Sequence, residues 1–201
     1  GTANTLIGGL AGDALTTGAN NVAVGKGALS AAVDVNDNTA VGISAMEATT
    51  GAENTGIGSA ALYANVAGNK NTALGFKAML TNVDGDNSTA IGYQALYTQA
   101  PTTNVDMYNV MVGHTAGYGL TTGVRNVGVG ASVLQSTVTG TDNVAVGHVA
   151  GATLTTGIQN VLIGAYAGDL FNAANENVAV GYNALTQDVK GHRSVAVGDS
   201  A

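Results

Sequence analysis

The chain has 201 residues, a formal net charge of −7 and only 9% charged residues, while 45% of its residues are hydrophobic. Six Lys and Arg residues scattered along the chain cannot neutralise a run of phosphates, so the composition argues against nucleic acid as a partner. With 30 Gly, two Phe, no Trp and no Cys, the chain lacks disulfides and the bulky anchors of a thick core, which favours a thin, one-dimensional architecture.

A five-residue block that ends in Gly recurs along the whole chain. The first copy reads NTLIG at residues 4–8 and the last reads SVAVG at residues 194–198. Successive closing glycines are 17 residues apart, except for one step of 16 and one of 21. These glycines are Gly8, Gly25, Gly42, Gly58, Gly75, Gly92, Gly113, Gly130, Gly147, Gly164, Gly181 and Gly198. Thr, Val and Ile concentrate in the blocks, which predicts a short strand in each.

The residues after each block repeat as well. Ala stands three residues after the closing Gly in every copy but one, where Val133 replaces it. A Leu or Met follows at once in one subtype of repeat, whereas in the other a Gly follows and the Leu comes three residues later, as in Leu15, Leu120 and Leu154. The two subtypes therefore supply the same volume from two backbone positions. A further Gly in most repeats, such as Gly123, predicts a turn that returns the chain to the next level.

This periodicity predicts an all-β fold, a β-solenoid of about twelve 17-residue coils that rises about 4.8 Å per coil into a rod of roughly 55 Å. We expect one repeat-array domain over residues 1–201, with a four-residue insertion in the coil between Gly92 and Gly113. The Asn that opens most blocks predicts a structural ladder of amides hydrogen-bonded along the axis. The ladder residues are Asn4, Asn21, Asn38, Asn54, Asn71, Asn109, Asn126, Asn143, Asn160 and Asn177.

Strand alternation divides each block into two faces. We expect the Thr or Val and the aliphatic residue before Gly to line the interior, and the residue between them to point outward. That middle residue is Ala or Gly in most copies, which is unusual for a face in water and indicates close approach of another surface. Ordering 17 backbones also costs more than a few buried aliphatic residues return. The pattern therefore predicts self-association, which a homotrimer, a dimer or a lateral assembly would satisfy.

The SVAVG and NTAVG blocks, with Ala-Leu or Ala-Gly following, resemble the β-roll repeats in the heads of trimeric autotransporter adhesins (YadA-like). They are also similar to NTAIG-type arrays of phage tail fibres and surface proteins that end in an intramolecular chaperone domain. The resemblance implies a left-handed, trimeric fibre that is extracellular, on a cell surface or on a virion. The 17-residue period is longer than that of the adhesin heads. The chain begins and ends within the repeat, as a fragment of a longer fibre would.

The insertion holds the only Pro of the chain and predicts a surface loop. One hypothesis is that this loop contacts a glycan or protein receptor, with Tyr97 and Tyr108 as stacking platforms; a tolerated bulge is the alternative. The candidate receptor-binding residues are Tyr97, Gln99, Thr102, Thr103, Asn104, Asp106 and Tyr108.

We expect no metal, no cofactor and no catalytic activity. His114 and His148 follow closing glycines two coils apart, roughly 10 Å from each other, so they cannot share a metal within one chain. Asp84 and Asp86 lack the repeat of calcium-binding β-rolls, and the chain holds no GxSxG elbow, HExxH or phosphate-binding loop. No apolar run is long enough to span a membrane.

The sequence thus favours a structural or adhesive fibre segment that acts as a rigid spacer and a receptor-binding surface. Two other functions stay open. The column Thr39, Thr55, Thr72 and Thr89 is compatible with an ice-binding solenoid. A self-assembling extracellular filament or sheath protein would need no partner beyond itself.

Overall fold

The computed structural model describes residues 1–187 and 189–201. These residues form strands and turns without any helix, so none of them lies in a helix that could cross a membrane. The chain winds into a parallel β-solenoid of about 11 turns with about 17 residues per turn. The predicted all-β solenoid is confirmed.

Each coil contributes one three-residue strand to the main sheet. We number the coils 1 to 12 by their opening residues, which are Asn4, Asn21, Asn38, Asn54, Asn71, Ser88, Asn109, Asn126, Asn143, Asn160, Asn177 and Ser194, and count positions from the opening residue as position 1. The strands are β1 (Thr5–Ile7), β2 (Val22–Val24), β3 (Thr39–Val41), β4 (Thr55–Ile57), β5 (Thr72–Leu74), β6 (Gly85–Asp86), β7 (Thr89–Ile91), β8 (Val105–Asp106), β9 (Val110–Val112), β10 (Val127–Val129), β11 (Val144–Val146), β12 (Val161–Ile163), β13 (Val178–Val180) and β14 (Val195–Val197).

The main sheet has 12 parallel strands and keeps one register from end to end. Thr39 pairs with Thr55 across the short step of the repeat, and Thr89 pairs with Val110 across the long step. The insertion is absorbed outside this sheet, where β6 and β8 form a separate two-stranded sheet. The repeat register is therefore set at the strands, and differences in coil length are accommodated in the turns.

The closing glycines line up in one column at the corner that follows each strand. Their φ angles lie between 129° and 142°. From Gly8 to Gly181, a Cβ added at each of them would lie 2.1–2.7 Å from the carbonyl oxygen of the closing Gly in the next coil. Only Gly satisfies both the backbone angle and the close approach of successive coils.

The strand faces are the reverse of the expectation from sequence. The middle residue points into the coil, as in Ala40, Ala90 and Ala145, which are fully buried. The flanking aliphatic residues point out, with Leu74 44% exposed and Val146 37% exposed. The interior is so thin that a Cβ on Gly56, a middle residue, would lie 2.8 Å from the Cγ of Met46. The inward strand position therefore takes small residues where a Leu or Met at position 9 fills the core, whereas Met111 and Leu162 are buried at the same strand position in coils whose position 9 is Gly.

The two alternative sources of core volume are confirmed. Leu29, Met46, Leu62, Met79, Leu96 and Leu134 are buried from position 9 of their coils, and Leu120 and Leu154 from position 12. Phe171 fills position 12 of coil 10 in the same way and was not predicted. Each of these position 12 residues accompanies a Gly at position 9, and a Cβ on Gly168 would lie 3.0 Å from the ring of Phe171.

Candidate functional site

The most distinctive surface of the molecule is the outer side of the 12-stranded sheet, here called the outer sheet face. It consists of the first and third residues of every main-sheet strand. The third residue is always Val, Ile or Leu, whereas the first is Thr in coils 1 and 3–6 and Val in the other coils. No charged side chain belongs to either column.

The dimensions of the outer sheet face follow from the strand geometry. Twelve strands about 4.8 Å apart give a length of roughly 50 Å, and the two columns lie about 7 Å from each other. Ile57, Val129 and Ile163 are 37–40% exposed in the interior of the array. The contiguous apolar surface is therefore several hundred Å², roughly the size at which such patches mark an interaction site.

The Asn ladder lies beside this face and holds the strands at a constant spacing. The Oδ1 of Asn109 accepts a hydrogen bond from the backbone N of Asn126 at 2.9 Å, and its Nδ2 donates to the carbonyl oxygen of Gly123 at 2.8 Å. The same pair of bonds recurs at Asn4, Asn21, Asn38, Asn54, Asn71, Asn126, Asn143, Asn160 and Asn177. Each amide thus joins two levels and closes its own coil, which makes the sheet regular and stiff.

Gln99 continues the hydrogen-bonded ladder in coil 6, where Ser88 replaces the opening Asn. Its Oε1 accepts from the Nδ2 of Asn109 at 3.1 Å, its Nε2 donates to the Oδ1 of Asn82 at 2.9 Å, and the Ser88 hydroxyl lies 3.3 Å from the same Nε2. Gln99 is fully buried, so its assignment to an accessible receptor surface was wrong. A signal for this placement exists in the sequence, because Gln99 occupies position 12 of its coil, as do Asn65 and Asn82.

The other candidate residues of the insertion do not form one platform. Thr102, Thr103, Asn104, Asp106 and Tyr108 are exposed along one edge. There, Asn104 bonds to Asp86 at 3.3 Å, and Asp106 accepts from Asn87. A hydrogen bond to Asp106 also raises the pKa of Tyr108. Tyr97 stacks on Tyr118 instead of pairing with Tyr108, with ring centroids 4.9 Å apart.

The ion pairs lie in the column that precedes the strands, outside the outer sheet face. The Nε of Arg125 is 2.6 Å from the Oδ1 of Asp142, and the Nε of Arg193 is 2.8 Å from the Oε2 of Glu176. These bonds lower the pKa of both carboxyl groups. Because the pairs are exposed, we expect each to contribute little to stability.

Comparison of the chain with protein-family models, with curated proteins and with solved structures finds no match. Within residues 1–187 and 189–201, no three His, Asp or Glu side chains lie close enough together to hold a metal ion. The function is accordingly inferred from the outer sheet face and the core that supports it.

Proposed function

We propose that the chain is a rigid segment of an extracellular fibre, in which copies associate through their outer sheet faces as a homotrimer. The observation that carries this proposal is the unbroken outward column of Val, Ile and Leu along all 12 strands. In a monomer, this column would stand in water over the whole length of the rod.

The energetics favour covering this surface. Removing a half-exposed aliphatic side chain from water contributes roughly 1 kcal/mol. The nineteen aliphatic residues on the outer sheet face of each copy would together contribute on the order of 15 kcal/mol, which is comparable with or larger than the entropic cost of association. The sheet keeps one register over all 12 strands, so it needs no change of pairing to dock against an identical sheet.

The number of copies and the location rest on the resemblance to adhesin-head and tail-fibre repeats. A trimer with its three sheets around one axis hides all three faces at once. Such a rod would act as a stiff spacer on a cell surface or virion and would present each remaining surface three times, so weak contacts with a receptor would add up.

The direct test is the molar mass in solution by light scattering. We expect three times the chain mass of 19.7 kDa, independent of concentration over the micromolar range. Val144→Lys, which places a charge in the outer sheet face, should yield monomers, whereas Thr102→Lys on the insertion should stay trimeric. A monomeric mass for the unaltered chain at all concentrations would overturn the proposal. A stable dimer or an open-ended filament would retain the association but overturn the stoichiometry.

Binding to ice is a second candidate, favoured by one observation. Thr39, Thr55, Thr72 and Thr89 face outward in register, so their hydroxyl and methyl groups repeat about every 4.8 Å on a flat sheet. This function needs the outer sheet face to be free, whereas the fibre needs it covered. Thermal hysteresis that is lost in Thr72→Lys would favour ice binding, and its absence in the unaltered chain would exclude it.

A further inference from the structure

Aromatic side chains concentrate on a second surface, which follows the corner glycines. We call it the aromatic flank and define it as positions 6–11 of coils 4–9, which are residues 59–64, 76–81, 93–98, 114–119, 131–136 and 148–153. Because the closing Gly turns the chain after each strand, this surface is separate from the outer sheet face. It therefore stays available when the outer sheet face is covered.

Two columns of stacked rings follow the solenoid axis on the aromatic flank. In position 6, Phe76 stacks on Tyr93 with centroids 5.4 Å apart, and Tyr93 stacks on His114 at 5.0 Å with the planes 7° apart. In position 10, Tyr97 stacks on Tyr118. Both columns end at coil 7, so the last ring of each has one face that no further ring of its column covers.

A recess begins where the two stacks end. Coil 8 carries Ala131 and Gln135 at positions 6 and 10, and the next ring of the first column is His148 in coil 9. Two coil rises separate His114 and His148 by roughly 10 Å. A single ring inserted above Ala131 would lie about 5 Å from each of them, which is the spacing of a stacked pair.

The walls of the recess are held in place by contacts with its floor and with coil 10. Thr115, only 8% exposed, has its hydroxyl 3.3 Å from the Nδ1 of His114 and 3.2 Å from the hydroxyl of Ser132 on the floor. On the far side, His148 packs edge-to-face on Tyr166, with centroids 5.4 Å apart. The recess is therefore preorganised and has a hydroxyl on its floor.

The charge of this surface differs from that of the rest of the chain. The chain has 13 Asp and Glu residues, but none of them lies within the aromatic flank. The flank does hold Lys77, whose Nζ lies 5.1 Å from the ring centroid of Phe76, together with His114 and His148. Just beyond the flank, Asp169 occupies position 10 of coil 10, two coils above Gln135, whereas Lys77 lies three coils below it, so the charges around the recess favour neither sign of ligand.

We propose that the recess over Ala131 binds one sugar residue of a glycan chain. The apolar face of a pyranose ring packs on His114 with His148 on its other side, while a hydroxyl reaches Ser132 on the floor. That this binding serves adhesion depends on the fibre function proposed above. The binding itself does not.

The test uses the full chain on a printed array of neutral, sialylated and uronic-acid oligosaccharides, followed by saturation-transfer NMR with any glycan that binds. Ala131→Tyr places a ring in the recess and continues the stack without removing any contact. We expect it to keep or raise Tm and to weaken glycan binding at least tenfold. Ser59→Tyr adds a ring to the same column at the far end of the flank and should leave binding unchanged. His114→Ala should weaken binding by a similar factor.

Binding to no oligosaccharide on the array, or glycan binding that Ala131→Tyr leaves intact, would overturn the proposal. Molar mass measured on the same samples separates this proposal from the fibre function. A trimer that binds no glycan contradicts the recess alone, and a monomer that binds through the recess contradicts the fibre alone.

Discussion

The two halves of the solenoid share one backbone but fill it differently. In coils 3–6 the first strand residue is Thr, and position 12 carries the buried polar residues Thr49, Asn65, Asn82 and Gln99. In coils 7–12 the first strand residue is Val, and position 12 includes the buried residues Leu120, Leu154 and Phe171. The main-sheet register continues across the boundary without a change.

The polar interior is tolerated because each member bonds to the next. The Nδ2 of Asn65 donates to the hydroxyl of Thr49 at 3.2 Å, the Nδ2 of Asn82 to the Oδ1 of Asn65 at 2.7 Å, and the Nε2 of Gln99 to the Oδ1 of Asn82. Stacking of identical levels makes this chain of bonds possible, since each amide meets a partner one coil away. The comparison teaches that a buried amide at this position is accompanied by a polar neighbour in an adjacent coil, whereas the smaller hydroxyl of Thr137 is buried between Leu120 and Leu154 without one.

The largest expected loss of stability comes from substituting the corner glycines, and it should be equal in both halves. Gly75→Ala and Gly130→Ala would each place a Cβ within 2.3–2.4 Å of the next coil's carbonyl oxygen, at φ angles of 139° and 141°. We expect each to lower the free energy of unfolding by about 3–5 kcal/mol, as measured by denaturant titration. Gly9→Ala, with no atom within 4 Å of the added Cβ, is the control. A large difference between the two corner variants would show that the halves do not share one backbone.

Gln99→Ala tests the polar half. It removes the partner of Asn82, Asn109 and Ser88 inside the core, and we expect a loss of about 3 kcal/mol in the free energy of unfolding. Thr102→Ala, on the exposed edge of the same insertion, should change stability by less than about 0.5 kcal/mol. Equal effects of the two substitutions would contradict a buried role for Gln99.

The same substitution at position 12 should have opposite signs in the two halves. The hydroxyl of Thr137 in coil 8 is buried without a hydrogen-bond partner, whereas that of Thr49 in coil 3 accepts from Asn65. We expect Thr137→Val to raise the free energy of unfolding by about 1 kcal/mol and Thr49→Val to lower it by about the same amount. Calorimetric Tm shifts of the same sign would refute this difference between the interiors.

The smallest effects are the pH dependences of two carboxyl groups, Asp34 in coil 2 and Asp169 in coil 10. Hydrogen bonds from Thr17 and Thr16 lower the pKa of Asp34, so its stabilising contribution is present above pH about 4 and is lost as the pH falls through the lowered pKa. Burial raises the pKa of Asp169, so its contribution is present below pH about 4 and is lost as the pH rises through the raised value. When Tm is measured from pH 3 to 7, Asp34→Asn should therefore remove a rise of Tm with pH, and Asp169→Asn should remove a fall. Identical profiles would contradict both assignments.

The period, the corner glycines and the Asn column could be predicted because each recurs with its own chemistry at every level. Which face of each strand lies inside the coil could not be predicted. Alternation separates Ala145 from Val144 and Val146, but it does not say which set lies inside. That choice depends on how much room the Leu or Met on the opposite side leaves, which is a property of the closed coil.

The candidate site was predictable only in part. Self-association was expected through the Ala residues of the strands, but these lie inside the coil, and the outward residues are the Val, Ile and Leu beside them. Tyr97 was singled out for its place near the insertion, but its stack on Tyr118 depends on two coils lying in register. Because Gln99 lies in the 21-residue step, it was assigned to the surface loop. Counting from Ser88 places it at position 12, in the interior column.

The central claim is that copies of the chain cover one another's outer sheet faces. Cysteine labelling tests it most directly, because the chain has no Cys of its own. A single Cys is introduced by Val144→Cys on the outer sheet face and, in a second variant, by Thr102→Cys on the insertion. We expect Val144→Cys to be protected from a bulky maleimide and to form disulfides between copies on mild oxidation, while Thr102→Cys reacts freely. A cysteine at residue 144 that is labelled as fast as the one at residue 102, and that never links two copies, would show that the outer sheet face is uncovered.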